Sequence, residues 1–293
     1  MVAGQTVVVG LSGGIDSVVL LHALSGFRLP LSALHVHHGL SANADDWEAF
    51  CRNLCDAWNI PIAVRRVTVQ RDSSSGLECA ARVVRHQAFA GAVGDWVVLA
   101  HHAGDQAETL LFNLIRGTGV RGAAAMAERG ARLLRPLLVV GRREILAYAQ
   151  AHRLSWIEDE SNADLRHSRN FLRHRVVAEI GRRFPGAEAN LAAAARRFAE
   201  AQNLLDDLAV FDLGSGNHHF PVAVALLQSL PEYRARNVLR YLLAGGGVQV
   251  PSEERLAEAL RQFLTAGPDR HPSVMLGSHR LFRRRGTVDL ADH

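Results

Sequence analysis

Lysine is absent from this sequence: all 33 basic residues among its 293 residues are arginine. A Walker A phosphate loop and a Schiff-base enzyme both need a lysine side chain, so the sequence excludes both classes. Cysteine is scarce, and an odd count of three in a chain of this length argues against a disulfide framework. No apolar run approaches the roughly 20 residues of a membrane span, and a predicted strand begins too close to Met1 for a signal peptide. We therefore expect a cytoplasmic protein without a membrane anchor.

The composition is typical of a globular protein with two domains. Apolar residues make up 48% of the chain, enough for a buried core, and a length of 293 residues favours about two domains. The charge is uneven, because the segment from Ser161 to His293 holds 18 arginines against 14 acidic residues. This segment accounts for the whole net charge of +4. A basic second half points to a polyanionic partner, most simply a nucleic acid.

The segment 7–17, with the sequence VVVGLSGGIDS, predicts a strand, a tight glycine turn and the start of a helix. Gly13 and Gly14 let the backbone approach a ligand closely, and the unpaired N–H groups of the new helix attract an anion. The hydroxyl groups of Ser12 and Ser17 add further donors. The segment therefore predicts a phosphate site, although its adjacent glycines do not match the GxGxxG spacing of a Rossmann fold.

Strands alternate with amphipathic helices over the first half of the chain, which predicts an α/β fold with a doubly wound parallel sheet in residues 1–185. We expect a connecting segment with a long helix at 186–215, and a smaller, mainly helical domain at 216–293 with a hairpin that turns at Gly277. The first strand is predicted from Val7, and the others at 31–37, 62–69, 96–100 and 132–134. The predicted helices include 45–58, 78–93, 142–151, 170–183, 187–208, 231–243 and 252–264.

Histidine and acidic side chains follow the strand predicted at 96–100, and ligands bind at such strand ends in open parallel sheets. His101 and His102 come first, and then Asp105 and Glu108, three residues apart on one face of the next helix. A pair of carboxylates there suits Mg²⁺ or an ammonium group. The alternative is an acidic helix start that only favours the helix dipole.

Other charged positions have both a structural and a functional interpretation. Asp16, at the head of the first helix, is a partner for Mg²⁺ or a cationic substrate, or else an ordinary helix cap. Glu78, Arg82 and Arg85 share a helix face, where they form surface ion pairs or a charged wall of the site. Arg116 begins a glycine-bearing loop that either closes over a ligand or ends a helix.

Two cysteines, Cys51 and Cys55, lie on the apolar stripe of the helix predicted at 45–58. They could form a metal or cluster site with Cys79 as a third ligand. We predict instead that they pack in the core, because a buried free cysteine behaves as a small hydrophobic residue.

In these residues the chain resembles the tRNA(Ile)-lysidine synthetases, a family of the PP-loop, or N-type, ATP pyrophosphatases. The resemblance implies an adenine nucleotide alpha hydrolase-like fold for 1–185 and tRNA binding by 216–293. It also implies a ligase that uses ATP, Mg²⁺ and free L-lysine to convert the wobble cytidine of an isoleucine tRNA to lysidine, releasing AMP and pyrophosphate. The matching motifs are SGGIDS at 12–17, HVHHGLSANADDW at 35–47, ECAAR at 78–82, HHAGDQAET at 101–109, RGTG at 116–119, RPLL at 135–138 and WIEDESNADLRHSRNFLR at 156–173.

The matched motifs imply roles for individual residues. The implied catalytic residues are Asp16, Asp105, Glu108 and Arg82, with Asp16 as the metal ligand and the other three holding lysine. Contacts with tRNA are implied for Arg169, Asn170 and Arg173, while Arg283 either contacts phosphates or belongs to a solvated run of charge at 283–285. The residues expected to hold ATP and its pyrophosphate are Ser12, Gly13, Gly14, Ile15, Asp16, Ser17, His35, His37, His38, His101, Arg116, Gly117 and Gly119.

Some features separate this assignment from its competitors. A tRNA thiolation ligase also adenylates a tRNA base, but it needs an exposed cysteine or a cysteine-held cluster. Amide-forming NAD or GMP synthetases do not need the basic helical tail, and a non-catalytic tRNA-binding protein would not need three acidic site residues. The alanine-rich segment 122–126 departs from the family pattern. Longer members of the lysidine synthetase family carry a further C-terminal domain, and this chain stops about where that domain would begin. We expect the protein to be a monomer or a homodimer.

Overall fold

The computed structural model describes residues 4–69, 77–158, 160, 168–267 and 270–292, apart from the side chains of 77–79. The chain forms two compact units, Met1–Ala199 and Glu200–His293. The division falls within one long helix, Ala187–Leu213, so the segment expected to connect the domains belongs partly to each unit. In the described part of the chain, no helix is long and apolar enough to cross a membrane.

The first unit is built on a parallel sheet of five strands. They are β1 (Val7–Gly10), β2 (Leu31–His37), β3 (Ile62–Arg66), β4 (Trp96–Val98) and β5 (Leu133–Leu134). Their order is β3-β2-β1-β4-β5, which places β1 in the centre. Val7 is aligned with Leu31 on one side and with Trp96 on the other. The predicted α/β fold with a parallel sheet is confirmed.

Helices connect these strands and continue beyond β5. A π-helical segment, Leu172–Val177, lies between α7 and α8, and α9 is the long helix that reaches into the second unit. The helices are α1 (Ile15–Ser25), α2 (Ala44–Ala57), α3 (Leu77–Ala90), α4 (Ala103–Ile115), α5 (Val120–Ala123), α6 (Arg142–Ala151), α7 (Ser168–Phe171), α8 (Ala178–Arg183) and α9 (Ala187–Leu213).

Both faces of the sheet are buried, as the unbroken apolar run of β1 predicts. Val7 and Val9 point to one face, where they belong to the same core as Cys51 and Cys55 of α2, both fully buried. Val8 points to the other face, in a second core that Phe89 of α3 covers. The predicted core packing of Cys51 and Cys55 is confirmed, while the side chain of Cys79 lies outside the described residues.

The second unit combines helices with an antiparallel sheet. The helices after α9 are α10 (Val224–Ser229), α11 (Glu232–Gly245) and α12 (Glu253–Thr265), and the strands are β6 (Val222–Ala223), β7 (Ser273–Leu276), β8 (His279–Arg284) and β9 (Thr287–Asp292). The predicted hairpin at Gly277 is confirmed between β7 and β8. The prediction of a mainly helical domain missed the remaining strands, since β6 pairs with β9 through residues as distant in sequence as Val222 and Val288.

Element ends differ from the predictions by a few residues. β3 ends at Arg66 rather than at residue 69, and α9 continues to Leu213 rather than ending at 208. Asp45 was expected to cap α2, but the N-cap is Asn43. The carboxylate of Asp45 instead accepts from Arg66 at 3.0 Å, which couples the start of α2 to the end of β3.

Candidate active site

Two serines close the turn between β1 and α1. Ser17 Oγ donates to Gly14 O at 2.9 Å and accepts from the Ser12 amide at 3.2 Å. Ser12 Oγ accepts from the Gly14 amide at 3.3 Å. The first hydrogen bond of α1 runs from Val18 N to Gly14 O at 3.1 Å. The amides of residues 15–17 therefore precede the helical ladder, at the end of the helix where an anion is stabilised.

Gly13 brings the turn against a distant segment of the chain. Its φ is +87°, and a Cβ atom at this position would lie 2.7 Å from Ile157 Cδ1. The Ile157 amide also donates to Gly13 O at 2.9 Å. Only glycine combines this backbone conformation with this close approach, so the turn is shaped by its contact with residue 157.

Asp16 lies at the head of α1 but does not cap it, because the N-cap is Gly14. Its side chain is 29% exposed and accepts a hydrogen bond from Arg142, the first residue of α6. The same carboxylate oxygen, Oδ1, lies 4.0 Å from His102 Nε2. The carboxylate is thus directed at partners from two other elements.

His102 connects the phosphate turn with the acidic helix α4. Its Nδ1 accepts from the Gly104 amide at 3.0 Å, and its own amide donates to Asp105 Oδ2 at 3.0 Å, which together cap α4. Because Nδ1 is an acceptor, the neutral ring carries its proton on Nε2. That nitrogen lies 3.8 Å from Asp105 Oδ2 and 4.0 Å from Asp16 Oδ1. Two carboxylates from separate motifs therefore meet across one imidazole.

Asp105 and Glu108 share a face of α4, as predicted, and the same arginine binds both. Arg173 Nε donates to Glu108 Oε1 at 2.6 Å, and Arg173 Nη2 donates to Asp105 Oδ1 at 2.9 Å. Arg169 supports the cluster: its Nε lies 3.5 Å from Glu108 Oε2, and its Nη2 donates to Thr109 Oγ1 at 2.8 Å. Both arginines, expected at the tRNA, are therefore directed at the acidic pair.

The two carboxyl groups of this pair have pKa values shifted in opposite directions. Burial raises the pKa of Glu108 and outweighs the hydrogen bonds from Arg173. Burial acts on Asp105 in the same sense, but the electrostatic effect of the His102 ring, the charge of Arg173 and the hydrogen bond from the His102 amide lower its pKa below the ordinary value. Asp105 is thus held as an anion, and Glu108 is the stronger base.

Histidines expected at the nucleotide lie at the end of β2. His35 is buried, its Nδ1 donates to Leu11 O at 2.9 Å, and burial lowers its pKa. His37 Nε2 donates to Asp45 Oδ1 at 3.1 Å. Burial and the charge of Arg85 lower the pKa of His38 to about 4. His35 and His38 are therefore neutral near pH 7.

His101, at the end of β4, is also neutral. Arg135 Nε donates to His101 Nδ1 at 3.2 Å, while Arg135 Nη1 donates to Ala127 O at 2.7 Å. Burial lowers the pKa of His101 to about 3, although Asp105 acts in the opposite sense. The imidazole is thus held by a hydrogen bond and carries its proton on Nε2.

The remaining expected residues lie on neighbouring elements of the first unit, and their roles stay predictions. Arg82 is a half-buried residue of α3, and its charge adds to burial in lowering the pKa of His86. Arg116 follows α4 and lies 5.1 Å from the centre of the Phe112 ring. Gly117 has a φ of +73°, Gly119 caps the start of α5, and Asn170 is a partly exposed residue of α7.

Arg283 makes structural contacts in the second unit, and the expected phosphate contact stays a prediction. Its Nη1 donates to Phe263 O at 2.6 Å and to Ala266 O at 2.7 Å. These carbonyl groups end α12, where a cation both completes hydrogen bonds and opposes the helix dipole. The guanidinium is therefore engaged by its own domain.

Some residues of this site were missed from the sequence. Arg142 carried a signal, because a cation at the first position of a helix is unfavourable unless an anion lies next to it. Gln106 also binds across elements: its Nε2 donates to Met126 O at 2.7 Å, and the Met126 amide donates to Gln106 Oε1 at 2.9 Å. The alanine-rich segment 122–126 is thus fixed to α4 by an amide side chain.

Comparisons with known proteins agree with this geometry. A PP-loop domain family model matches residues 2–180, and a TilS substrate binding domain model matches residues 223–288. The tRNA(Ile)-lysidine synthase of Aromatoleum aromaticum is 50% identical over 265 residues, which cover 88% of this chain and 62% of that protein. That of Escherichia coli O157:H7 is 40% identical over 97% of this chain and 68% of that protein. The chain thus spans less than two thirds of the length of the Aromatoleum relative.

A solved structure supports the fold alone. The U34-tRNA thiolase NcsA from Methanococcus maripaludis superposes with a TM-score of 0.56 over 67% of this chain and 73% of its own, at 19% identity. The two family-model matches, and the 50% and 40% identity to the two lysidine synthases, show more than the fold. They establish that the chain belongs to the tRNA(Ile)-lysidine synthase family.

Proposed function

We propose that this chain acts as a ligase that adenylates the wobble cytidine of an isoleucine tRNA with ATP and joins free L-lysine to C2 of that base. The carrying observation is that Asp16, at the phosphate turn, and Asp105, of the acidic pair, both approach Nε2 of His102, at 4.0 Å and 3.8 Å. A site suited to departing phosphates and a site suited to an incoming amine thus lie at one edge of the sheet. Membership of the family supports the same reaction.

ATP is proposed to bind with its pyrophosphate on the turn at 12–17. The amides of residues 15–17 lie at the helix end, where anions are stabilised, and the Ser17 hydroxyl closes the turn by donating to Gly14 O. The histidines at 35, 37, 38 and 101 would line the adenosine, and Arg116, Gly117 and Gly119 would close over it. Asp16 is a single, partly exposed carboxylate, which fits Mg²⁺ because this ion binds through one or two carboxylates and the substrate phosphates. When bound, the ion would neutralise charge on the phosphates.

The chemistry proposed here has two steps. In the first, O2 of cytosine bonds to the α-phosphorus of ATP and pyrophosphate leaves. In the second, the lysine amine bonds to C2, and O2 departs with AMP. The attacking amine must lose a proton, and Glu108, whose pKa is raised by burial, is the proposed acceptor. Asp105 and Arg82 would hold the charged groups of the amino acid and so orient the amine.

The macromolecular partner in this proposal is tRNA, in the cytoplasm. The match of residues 223–288 to a substrate binding domain supports contact between the second unit and the tRNA. Arg169 lies beside the acidic pair, and Arg169 and Asn170 would meet the anticodon base that enters the site. Single-stranded anticodon bases are the part of a tRNA that proteins read most readily.

Thiolation is the competing function, because the superposed thiolase has this fold and carries a 4Fe-4S cluster. In this chain, burial raises the pKa of Cys51 to about 12 and that of Cys55 to about 11, so both thiols are protonated and inaccessible. Sulfur transfer needs a thiolate or a cluster ligand. Replacing all three cysteines by serine separates the two functions: a ligase keeps its activity, and a thiolase loses it.

The proposed function is tested by mass analysis of a wobble-cytidine tRNA incubated with the protein, ATP, Mg²⁺ and L-lysine. The expected product gains the mass of one lysine less one water, in the anticodon fragment after nuclease digestion. Gain of sulfur would favour thiolation, and an unchanged tRNA mass would refute the ligase.

Two variants assign the steps. Asp16→Ala should abolish pyrophosphate release, and Asp105→Ala should release pyrophosphate but require a higher lysine concentration for product. Asp46→Ala, an exposed carboxylate of α2, is the matched control and should behave as the wild type. If Asp105→Ala keeps the wild-type dependence on lysine, the role given to that carboxylate is wrong.

A further inference from the structure

The acidic pair already binds a cation that belongs to the chain. Arg173 uses Nε and Nη2 to contact both carboxylates, at 2.6 Å and 3.2 Å from Glu108 and 2.9 Å from Asp105. The Glu108 side chain is 3% exposed, whereas that of Arg173 is 36% exposed, so the guanidinium lies on the solvent side of the carboxylate. A substrate ammonium would need the same oxygens. The two cations cannot occupy the pair together.

Arg173 also lies close to the phosphate turn. Asp105 and Asp16 approach the same His102 nitrogen, at 3.8 Å and 4.0 Å, and Arg173 is bound to the first of them. The charge of Asp16 is one of those that act on the Arg173 guanidinium. A guanidinium released from the acidic pair is therefore next to the position proposed for the nucleotide phosphates, to which arginine binds strongly.

The backbone that carries Arg173 is irregular. The π-helical segment Leu172–Val177 interrupts the helical run between α7 and α8. Leu172 is buried and fixes the start of the segment, while its neighbour Arg173 is half-buried. A π segment is rare and occurs often at functional sites. Its presence at Arg173 fits a functional role for that side chain.

From these contacts we infer that Arg173 competes with the substrate ammonium for Asp105 and Glu108, and that nucleotide phosphates draw it away to open the pair. The inference rests on the proposed function, because it takes ATP and lysine as the two ligands. The exchange keeps the charges balanced, since one cation leaves the buried Glu108 as another arrives. If ATP raises the affinity for lysine, lysine must raise the affinity for ATP by the same factor.

The test is calorimetric titration of L-lysine into the whole chain, with and without Mg²⁺ and α,β-methylene-ATP, whose α–β bridge is not cleaved. For the wild type, we expect the Kd for lysine to fall about tenfold or more when the nucleotide is present, since a hydrogen-bonded charged contact is released. Arg173→Met should bind lysine tightly without nucleotide and gain little from it. Arg182→Met removes an exposed ion pair with Glu179 on α8, and this control should keep the wild-type coupling.

A second variant keeps the test valid if Arg173→Met does not fold, which circular dichroism would reveal. Arg173→Lys keeps the cation but not its two-point contact, so its lysine affinity without nucleotide should lie between those of the wild type and Arg173→Met. Equal lysine affinity in the wild type with and without nucleotide, and in both variants, would overturn the inference.

A cation probe separates failure of this inference from failure of the proposed function. If no protein binds lysine, methylguanidinium is titrated instead. Binding to Arg173→Met but not to the wild type would support a cation site that Arg173 occupies, and would refute lysine as its ligand. Absence of binding to either protein would refute the inference, while the tRNA mass analysis would still judge the ligase.

Discussion

Replacement of Gly13 by alanine tests the geometry of the phosphate turn, because the next residue provides a matched control. Gly13 has a φ of +87°, and an added Cβ would lie 2.7 Å from Ile157 Cδ1 and 3.3 Å from Cys51 Sγ. Gly14 has a φ of −71°, and its added Cβ would lie 3.5 Å from Ser12 Oγ, an ordinary contact. The two substitutions add the same methyl group to adjacent residues in different environments.

The expected loss of stability follows from these two differences. A left-handed conformation costs an L-residue roughly 1–2 kcal/mol, and overpacking of a filled interior costs about 1–3 kcal/mol. Gly13→Ala should therefore lower the free energy of unfolding by about 2–5 kcal/mol, a large part of the roughly 5–15 kcal/mol of a typical domain. Gly14→Ala should remain within about 1 kcal/mol of the wild type, since alanine fits its backbone conformation.

Urea unfolding followed by circular dichroism measures both effects. The double variant Gly13→Ala with Ile157→Ala removes the Cδ1 atom that the new methyl group approaches, so part of the loss should be recovered in a double-mutant cycle. Pyrophosphate release in the presence of tRNA reports whether the displaced turn still binds ATP. Equal stability of the Gly13 and Gly14 variants would refute the reasoning, because it would mean that the turn relaxes without cost.

Three further predictions concern other regions. Arg283→Ala should destabilise the second unit by about 1–3 kcal/mol in urea unfolding, because two carbonyls at the end of α12 lose their donor, whereas the exposed Arg284→Ala should not. His101→Gln should reduce the loss of stability as the pH falls from about 6.5, the ordinary histidine pKa, towards about 3, its pKa in the fold. The sign follows because a lowered pKa stabilises the fold above the unfolded value and this contribution is lost on acidification; an unchanged pH profile would contradict it. Cys51, with its pKa raised to about 12 by burial, should react with iodoacetamide at pH 8 only after unfolding, as peptide mapping by mass spectrometry would show, and rapid labelling of the folded protein would contradict its burial.

The most local features of this protein were predictable from the sequence. β2 and α6 begin and end where predicted, at Leu31–His37 and Arg142–Ala151, since apolar periodicity encodes which face of each element is buried. The same periodicity placed Cys51 and Cys55 in the core and Asp105 beside Glu108 on one helix face. The strand, glycine turn and helix at 7–17 were recognisable because phosphate binding of this kind is built within one short segment.

Contacts between elements were decided only by the tertiary structure. Arg142 reaches Asp16 from 126 residues away, and Arg173 reaches Asp105 from 68 residues away; neither pairing has a periodic signal. Arg283 illustrates the same limit, since no pattern in the sequence pairs it with the carbonyl groups at the end of α12. A pattern along the chain reports the burial that each element needs, but the partner of a charged side chain depends on which elements pack together. The sequence by itself thus determined the parallel α/β sheet and the phosphate turn, and the packing decided which cation binds the acidic pair.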